Sequence, residues 1–334
     1  MPSSTFSSDR VPTGPWGRTW LVAVVAIALG ALGIEALARH RGYQPSVKDD
    51  EYAWAIQRAR ADGSQRTVAL LGTSRILLAF SPQAFAQALP DWTYVQLAID
   101  GSQPAGSLID LARDPDFRGV VIVDTTESGI TPDNWQRQDA YLRAYHRRWR
   151  EPGALAERWL ATAVQSHLAL LSDTGTHTLA NGWTAPPYVT TFADRTQYAD
   201  FTRTDVGKQR RRQLDRIAAE GNVPPPTERD AAAWLDQALA IEPFVDQIQA
   251  RGGRVVYVRM PVCDERWAAD ERETPKALFW DRLAARTHAL AIHFADYPAL
   301  RDFACPDTDH IDSKDAARFT TALVAILRDR GVVR

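Results

Sequence analysis

Cysteine is almost absent, since the 334 residues hold only Cys263 and Cys305. That scarcity excludes a disulfide-built scaffold, and without a Cys-x-x-Cys pair there is neither a redox motif nor half of a zinc site. A basic excess is missing as well. Lysine and arginine total 39 against 41 acidic residues, a formal net charge of -2, so no surface suited to a nucleic-acid backbone is expected and nucleic acid is excluded as a partner. His146, His167 and His293 are among seven histidines that show no ligand spacing, so neither a metal site nor a cofactor is expected. Internal repeats and heptad arrays are lacking. The basic run Lys208 to Arg212 reads as the solvated face of a helix.

Long apolar runs are also lacking, with one exception. After a polar stretch rich in Ser and Pro over residues 1–19, Trp20 to Ile34 carry no charge. Glu35 to Ala38, with Arg18 and Arg39 snorkelling at either end, extend this to roughly 20 residues, the length of a bilayer-spanning helix. Residues 20–40 are therefore read as a transmembrane anchor or signal-anchor. A cleaved signal peptide is the rival, because Ala36-Leu37-Ala38 has the small-x-small form of a cleavage site.

Both readings export the remainder. The basic residues count slightly toward a cytoplasmic body, with Arg10 and Arg18 before the run and Arg39, Arg41 and Lys48 after it. The acidic Asp49, Asp50 and Glu51, and the habit of a lone N-terminal apolar helix to act as an export signal, favour a domain on the periplasmic or extracytoplasmic side of an inner membrane. In such a domain Cys263 and Cys305 can pair, because each follows a predicted strand whose neighbour in a parallel sheet is the other. Two buried thiols are the alternative.

Residues 41–334 alternate strand with helix. The apolar run Thr67 to Leu71 reads as a buried strand, and Trp92 to Ile99, Gly119 to Asp124, Arg254 to Met260 and Ala291 to Asp296 repeat the signal. Helices are expected at Asp50 to Ala61, Pro82 to Leu89 and Pro104 to Arg113. Strands separated by helices of this length predict βαβ units, and hence an α/β fold with one doubly wound, five-stranded parallel sheet. More than a hundred residues separate the third and fourth strands, far beyond an ordinary crossover. They predict a large helical insertion over about 130–250, with helices at Asn134 to Arg150, Gly153 to Leu171, Asp205 to Glu220 and Arg229 to Arg251. An irregular stretch from Asp173 to Thr204 and a Pro224-Pro225-Pro226 break divide them. Trp135, Trp149, Trp159 and Trp183 fall in this cap, where exposed rings can stack on sugars, although indoles at helical positions usually belong to a core.

Ligands of a parallel sheet bind beyond the carboxyl ends of its strands. Ser74 follows the first predicted strand, Gly101 the second and Glu127 the third. Arg259 ends the fourth, and Asp307 and His310 follow the fifth. All of them share one rim. Acyl transfer needs a hydroxyl, a base to take its proton and a carboxylate to orient the base, and Ser74, His310 and Asp307 are of those types. Asp309 is a second candidate for orienting His310. The last helix begins near Asp312 or Ser313, with Phe319, Leu323, Ile326 and Leu327 as its apolar stripe.

Gly72-Thr73-Ser74, Gly101 and Asp307-Thr308-Asp309-His310 together resemble the SGNH hydrolase superfamily, the GDSL-type esterases and acyltransferases. The resemblance spans roughly Arg66 to Leu327 apart from the cap. It implies an SGNH or flavodoxin-like three-layer fold, Ser74 as nucleophile, and the Ser74 and Gly101 amides as oxyanion donors. Where the family has Gly-x-Asn-Asp after the third strand, this chain has Asp124-Thr125-Thr126-Glu127-Ser128 and no asparagine. Thr126 is a candidate replacement donor, and Arg75, Glu127 and Arg259 are candidates for substrate binding or for ion pairs.

With the anchor and the cap, the chain is similar to membrane-tethered SGNH proteins of bacterial envelopes. That likeness implies a serine esterase or O-acyltransferase acting on acyl esters of envelope glycans, beside a membrane-bound O-acyltransferase as partner. The alternative is a non-catalytic SGNH-like binding or scaffold module of such a system.

Overall fold

A computed structural model describes residues 14–61, 63–172, 175, 182–221 and 224–334. Most of the polar N-terminal segment, and part of the stretch expected to be irregular from Asp173, lie outside the described residues. The chain opens with α1 (Trp16–His40) and α2 (Glu51–Ala59), followed by β1 (Thr67–Leu71), α3 (Ser74–Ala79), α4 (Pro82–Ala88), β2 (Thr93–Gln96), α5 (Ala105–Arg113) and β3 (Val120–Asp124). The insertion carries α6 (Asp139–Arg147), α7 (Pro152–Gln165), β4 (Val189–Thr191), β5 (Gln197–Ala199), α8 (Val206–Glu220), α9 (Glu228–Ala238) and α10 (Glu242–Ala250). The chain then returns through β6 (Arg254–Arg259), α11 (Asp264–Glu273), α12 (Trp280–Ala284), β7 (Leu290–His293), α13 (Pro298–Arg301) and α14 (Ser313–Asp329).

Five strands pair in the order β2-β1-β3-β6-β7, and every neighbouring pair is parallel. Successive side chains of a strand point to opposite faces, so Val68 and Leu70 meet α3, α4 and α14 through Ile76, Phe85, Phe319 and Leu323. Ala69 and Leu71 turn the other way and meet α2, α5 and α10 through Trp54, Leu108 and Ile248. The result is three layers, helix on sheet on helix. Both faces of the sheet are covered, which explains why β1, β3 and β6 read as apolar runs rather than as alternating ones. β2 and β7, at the two edges, are shorter than the runs that predicted them and end at Gln96 and His293.

The insertion differs from the purely helical cap expected of it. Part of the stretch assigned as irregular is a small antiparallel pair, with Val189 opposite Ala199 and Thr191 opposite Gln197. Its turn places Arg195 at φ +66. From there the buried guanidinium donates to the carbonyls of Gln96, at 2.6 Å, and Ala98, at 2.9 Å, and pairs with Asp49. One side chain thereby fastens the hairpin to the end of β2, directly beside the rim where ligands of such sheets bind. The helix expected at Arg229 to Arg251 is two helices, α9 and α10, with a 3-10 turn from Leu239 to Ile241 and Pro243 in the first turn of the second.

α1 is long and apolar enough to cross a membrane. It runs unbroken through Ala36-Leu37-Ala38, and Trp20, Ile27, Leu29 and Leu32 along it are exposed.

Candidate active site

β1 and β3 end side by side, and Gly72 sets how closely. Its φ is +147, a backbone conformation suited to glycine, and a Cβ there would lie 2.5 Å from the Cβ of Asp124. The carboxylate of Asp124 accepts the Thr73 amide and hydroxyl, each at 3.2 Å. Thr73 in turn caps α3 by accepting the Arg75 amide, so Ser74 is the first helical residue and stands half-exposed at the strand end.

The opposite wall comes from the loop before α14. Thr308 adopts φ +79, outside the range a threonine ordinarily occupies, and this folds the loop around the buried Asp307 carboxylate. Asp307 Oδ1 accepts the amides of Asp309, at 3.1 Å, and His310, at 2.9 Å, while Oδ2 accepts His310 Nδ1 at 2.8 Å. A carboxylate can only accept, so the hydrogen resides on Nδ1 and Nε2 is left as an acceptor. Ser74 Oγ lies 2.8 Å from that Nε2. The loop is secured to the segment after β6 by the Cys263–Cys305 disulfide and by the Cys263 amide donating to the Thr308 carbonyl at 2.8 Å, and the Thr308 amide closes a turn within the loop on the Cys305 carbonyl at 2.9 Å.

The electrostatics follow from this geometry. Burial penalises charge on Asp307, but the His310 hydrogen bond and charge, with two backbone amides, hold its carboxyl below the usual carboxylate range. Burial likewise opposes protonation of His310, and the Asp307 hydrogen bond with the Asp309 and Asp307 charges outweighs it, raising the imidazole above its ordinary value. Asp309 is not the orienting carboxylate. It approaches His310 Nε2 only to 3.7 Å, and its partner is Arg75, whose Nε and Nη2 donate to it at 3.0 and 2.7 Å.

Gly101 has φ +66 in a turn closed by the Ser102 amide on the Ile99 carbonyl at 3.2 Å. Among the described residues, neither the Ser74 nor the Gly101 amide donates to another group of the chain. A cavity of about 280 Å³ opens over Ser74, His310 and Asp307, bordered by Asp100 from the sheet rim. Leu78 of α3 lines it too, and the rest of the wall belongs to the insertion: Tyr188 and Gln197 from the hairpin region, and Arg212 and Arg216 one turn apart on α8.

The candidate substrate-binding residues are not in that wall. Arg75 is paired with Asp309, and the buried Arg259 sits between Asp270 and Glu127, because a guanidinium withdrawn from water needs carboxylates around it. Thr126 contacts Ser128 Oγ at 3.4 Å and does not border the cavity. Tyr188, Arg212 and Arg216 escaped the sequence reading. Of the three only Arg212 belonged to the run Lys208 to Arg212 that was taken as solvated, and Arg210 of that run does face outward, paired with Asp264 and Glu265. Of the remaining histidines, His293 is buried against Trp267, Trp280 and Phe294, and burial with nearby Arg259 and Lys276 pushes its imidazole down to about 3.

Comparison of the chain with protein-family models, with curated proteins and with solved structures yields no match.

Proposed function

We propose that this chain is a membrane-anchored serine esterase or O-acyltransferase of SGNH type, working through an acyl-enzyme on Ser74. One observation carries the proposal: Ser74 Oγ, the His310 ring and the Asp307 carboxylate form a continuous relay with two 2.8 Å contacts. His310 Nε2 takes the Ser74 proton as Oγ attacks the ester carbonyl, and Asp307 holds the ring and stabilises the imidazolium. The alkoxide that develops is met by the Ser74 and Gly101 amides. His310 returns its proton to the departing alcohol. Water, or a hydroxyl of an acceptor, then repeats the sequence in reverse on the acyl-serine and frees the enzyme.

α1 holds the domain to the inner membrane, and the disulfide suits an oxidising compartment on its periplasmic side. The substrate is an acyl ester of an envelope glycan, and a membrane-bound O-acyltransferase is the partner in acyl supply. Among the described residues Arg212 and Arg216 hydrogen-bond only the neutral Gln209 and Gln213, each at 3.3 Å, so their charge suits an ester that carries an acidic group.

A non-catalytic module is the second reading. It is favoured by the third-strand segment, which lacks the asparagine and leaves Thr126 away from the cavity. Labelling with a fluorophosphonate separates the two. Wild type labels and turns over acyl esters, whereas Ser74→Ala loses the label and about 10⁴-fold or more in rate. Equal labelling of both proteins would place the nucleophile elsewhere, and an unlabelled wild type that retains partner binding would leave the module.

A further inference from the structure

Helix α7 is turned inside out. Its buried side carries Arg158, whose Nη1 pairs with Asp50 at 3.1 Å and whose Nη2 donates to the Lys48 carbonyl at 2.6 Å. Gln165 on the same side accepts the Lys48 amide at 3.1 Å. The opposite side carries Leu155, Ala156, Trp159 and Leu160, all exposed, with Trp159 at 73% and Leu160 at 59%. At about 100° per residue these four fall within one apolar arc. An ordinary surface helix directs such an arc at the core and its charges at water. Here the orientation is reversed.

The place of α7 identifies what covers it. The segment that follows its C-terminus is fastened to the end of α1: the Glu35 carboxylate accepts the amides of Ala169, at 3.0 Å, and Leu170, at 2.9 Å, and Arg39 donates to the His167 carbonyl at 2.7 Å. Ala38 of α1 is buried with Tyr43 and Ala169 at the same junction. A bilayer that takes up the exposed apolar length of α1 ends at this level. Tryptophan and leucine beside an arginine-containing helix end are the side chains that settle at the boundary between headgroups and acyl chains. Exposed Arg148 and Arg150 precede α7, where they can meet lipid phosphates.

We infer that α7 is a second membrane contact, lying in the lipid interface with Trp159 and Leu160 inserted, and that it fixes the orientation of the domain against the bilayer. The inference rests on α1 residing in a membrane, as proposed above. It makes the outer face of α7 a lipid-binding surface rather than a sugar platform.

Site-directed spin labelling of the full chain in phosphatidylcholine and phosphatidylglycerol vesicles tests it. Nitroxides at Leu160→Cys and Leu155→Cys report α7, one at Leu29→Cys reports α1, and one at the exposed Ala218→Cys on α8 serves as the aqueous reference. Oxygen, which concentrates in lipid, is expected to collide with the labels at 155, 160 and 29 in preference to a water-soluble nickel chelate, and the preference is expected to reverse at 218. A lipid signal at 29 with an aqueous signal at 155 and 160 overturns the docking of α7 and leaves the anchor intact. Aqueous signals at all of these sites overturn the anchor itself. Labels at 155 and 160 shielded from both agents place protein, rather than lipid, over α7 and overturn the inference.

Discussion

Asp307 and Asp124 are both buried carboxylates on one sheet rim, yet their surroundings drive them in opposite directions. Asp307 is met by two amides and an imidazole, and is held below the usual carboxylate range. Asp124 receives only the Thr73 amide and hydroxyl on one oxygen, while its other oxygen is buried without a partner among the described residues. Burial therefore dominates and raises its carboxyl, despite the nearby Arg75 and Arg259 charges. The first carboxylate is built to stay charged beside a base. The second is a spacer that ties the end of β3 to the turn carrying Ser74.

The sharpest way to break this comparison is to neutralise each carboxylate in turn. Asp307→Asn can present an amide to His310 and trap the wrong tautomer, so ester turnover is expected to fall by about 10³- to 10⁴-fold. Asp124→Asn keeps an oxygen for Thr73 and is expected to cost less than about tenfold, below the loss that accompanies removal of an oxyanion donor. Steady-state kinetics on a small acyl ester decide the matter. Equal losses would erase the distinction between the two sites.

A smaller effect is expected at the insertion wall. Replacing both Arg212 and Arg216 with Gln should lower the ratio of kcat/KM for 4-acetoxybenzoate over neutral phenyl acetate by about three- to tenfold, the modest scale proper to exposed charges. An unchanged ratio would remove charge from the role of α8 in substrate choice.

The mildest test concerns pH. His310 must be neutral to accept the Ser74 proton, and its raised pKa places the acid limb of kcat/KM above the ordinary histidine value. Asp309→Asn removes one raising charge and frees Arg75 to oppose protonation, so the limb moves to lower pH. A limb that stays in place, or moves upward, would show that Asp309 does not tune the base.

The same contrast explains how much could be read beforehand. Thr67–Leu71 was legible because a strand buried on both faces is apolar throughout, and the loop before α14 because Asp-x-x-His brings carboxylate and ring together within a single turn. α3 was missed. Its six residues are too few for a 3.6-residue period to register, and Ser74 is its first. The pair β4 and β5 was missed for a related reason, since strands of three residues carry little alternation and they are tied down by distant residues, Arg195 reaching the end of β2 among them. The inverted face of α7 was invisible as well. Periodicity says that a helix has two faces, and only its neighbours say which one turns inward.

The amino-acid sequence by itself determined the parallel sheet, the anchor-length apolar helix and the residue types of a serine relay, because periodicity, run length and local spacing are properties of adjacent residues. Tertiary structure alone decided that Ser74 meets His310 across 236 positions, that Arg75 and Arg259 serve ion pairs, and that Arg212 and Arg216 face the cavity. Those outcomes depend on which surfaces are withdrawn from water together, and that is settled only when the layers pack.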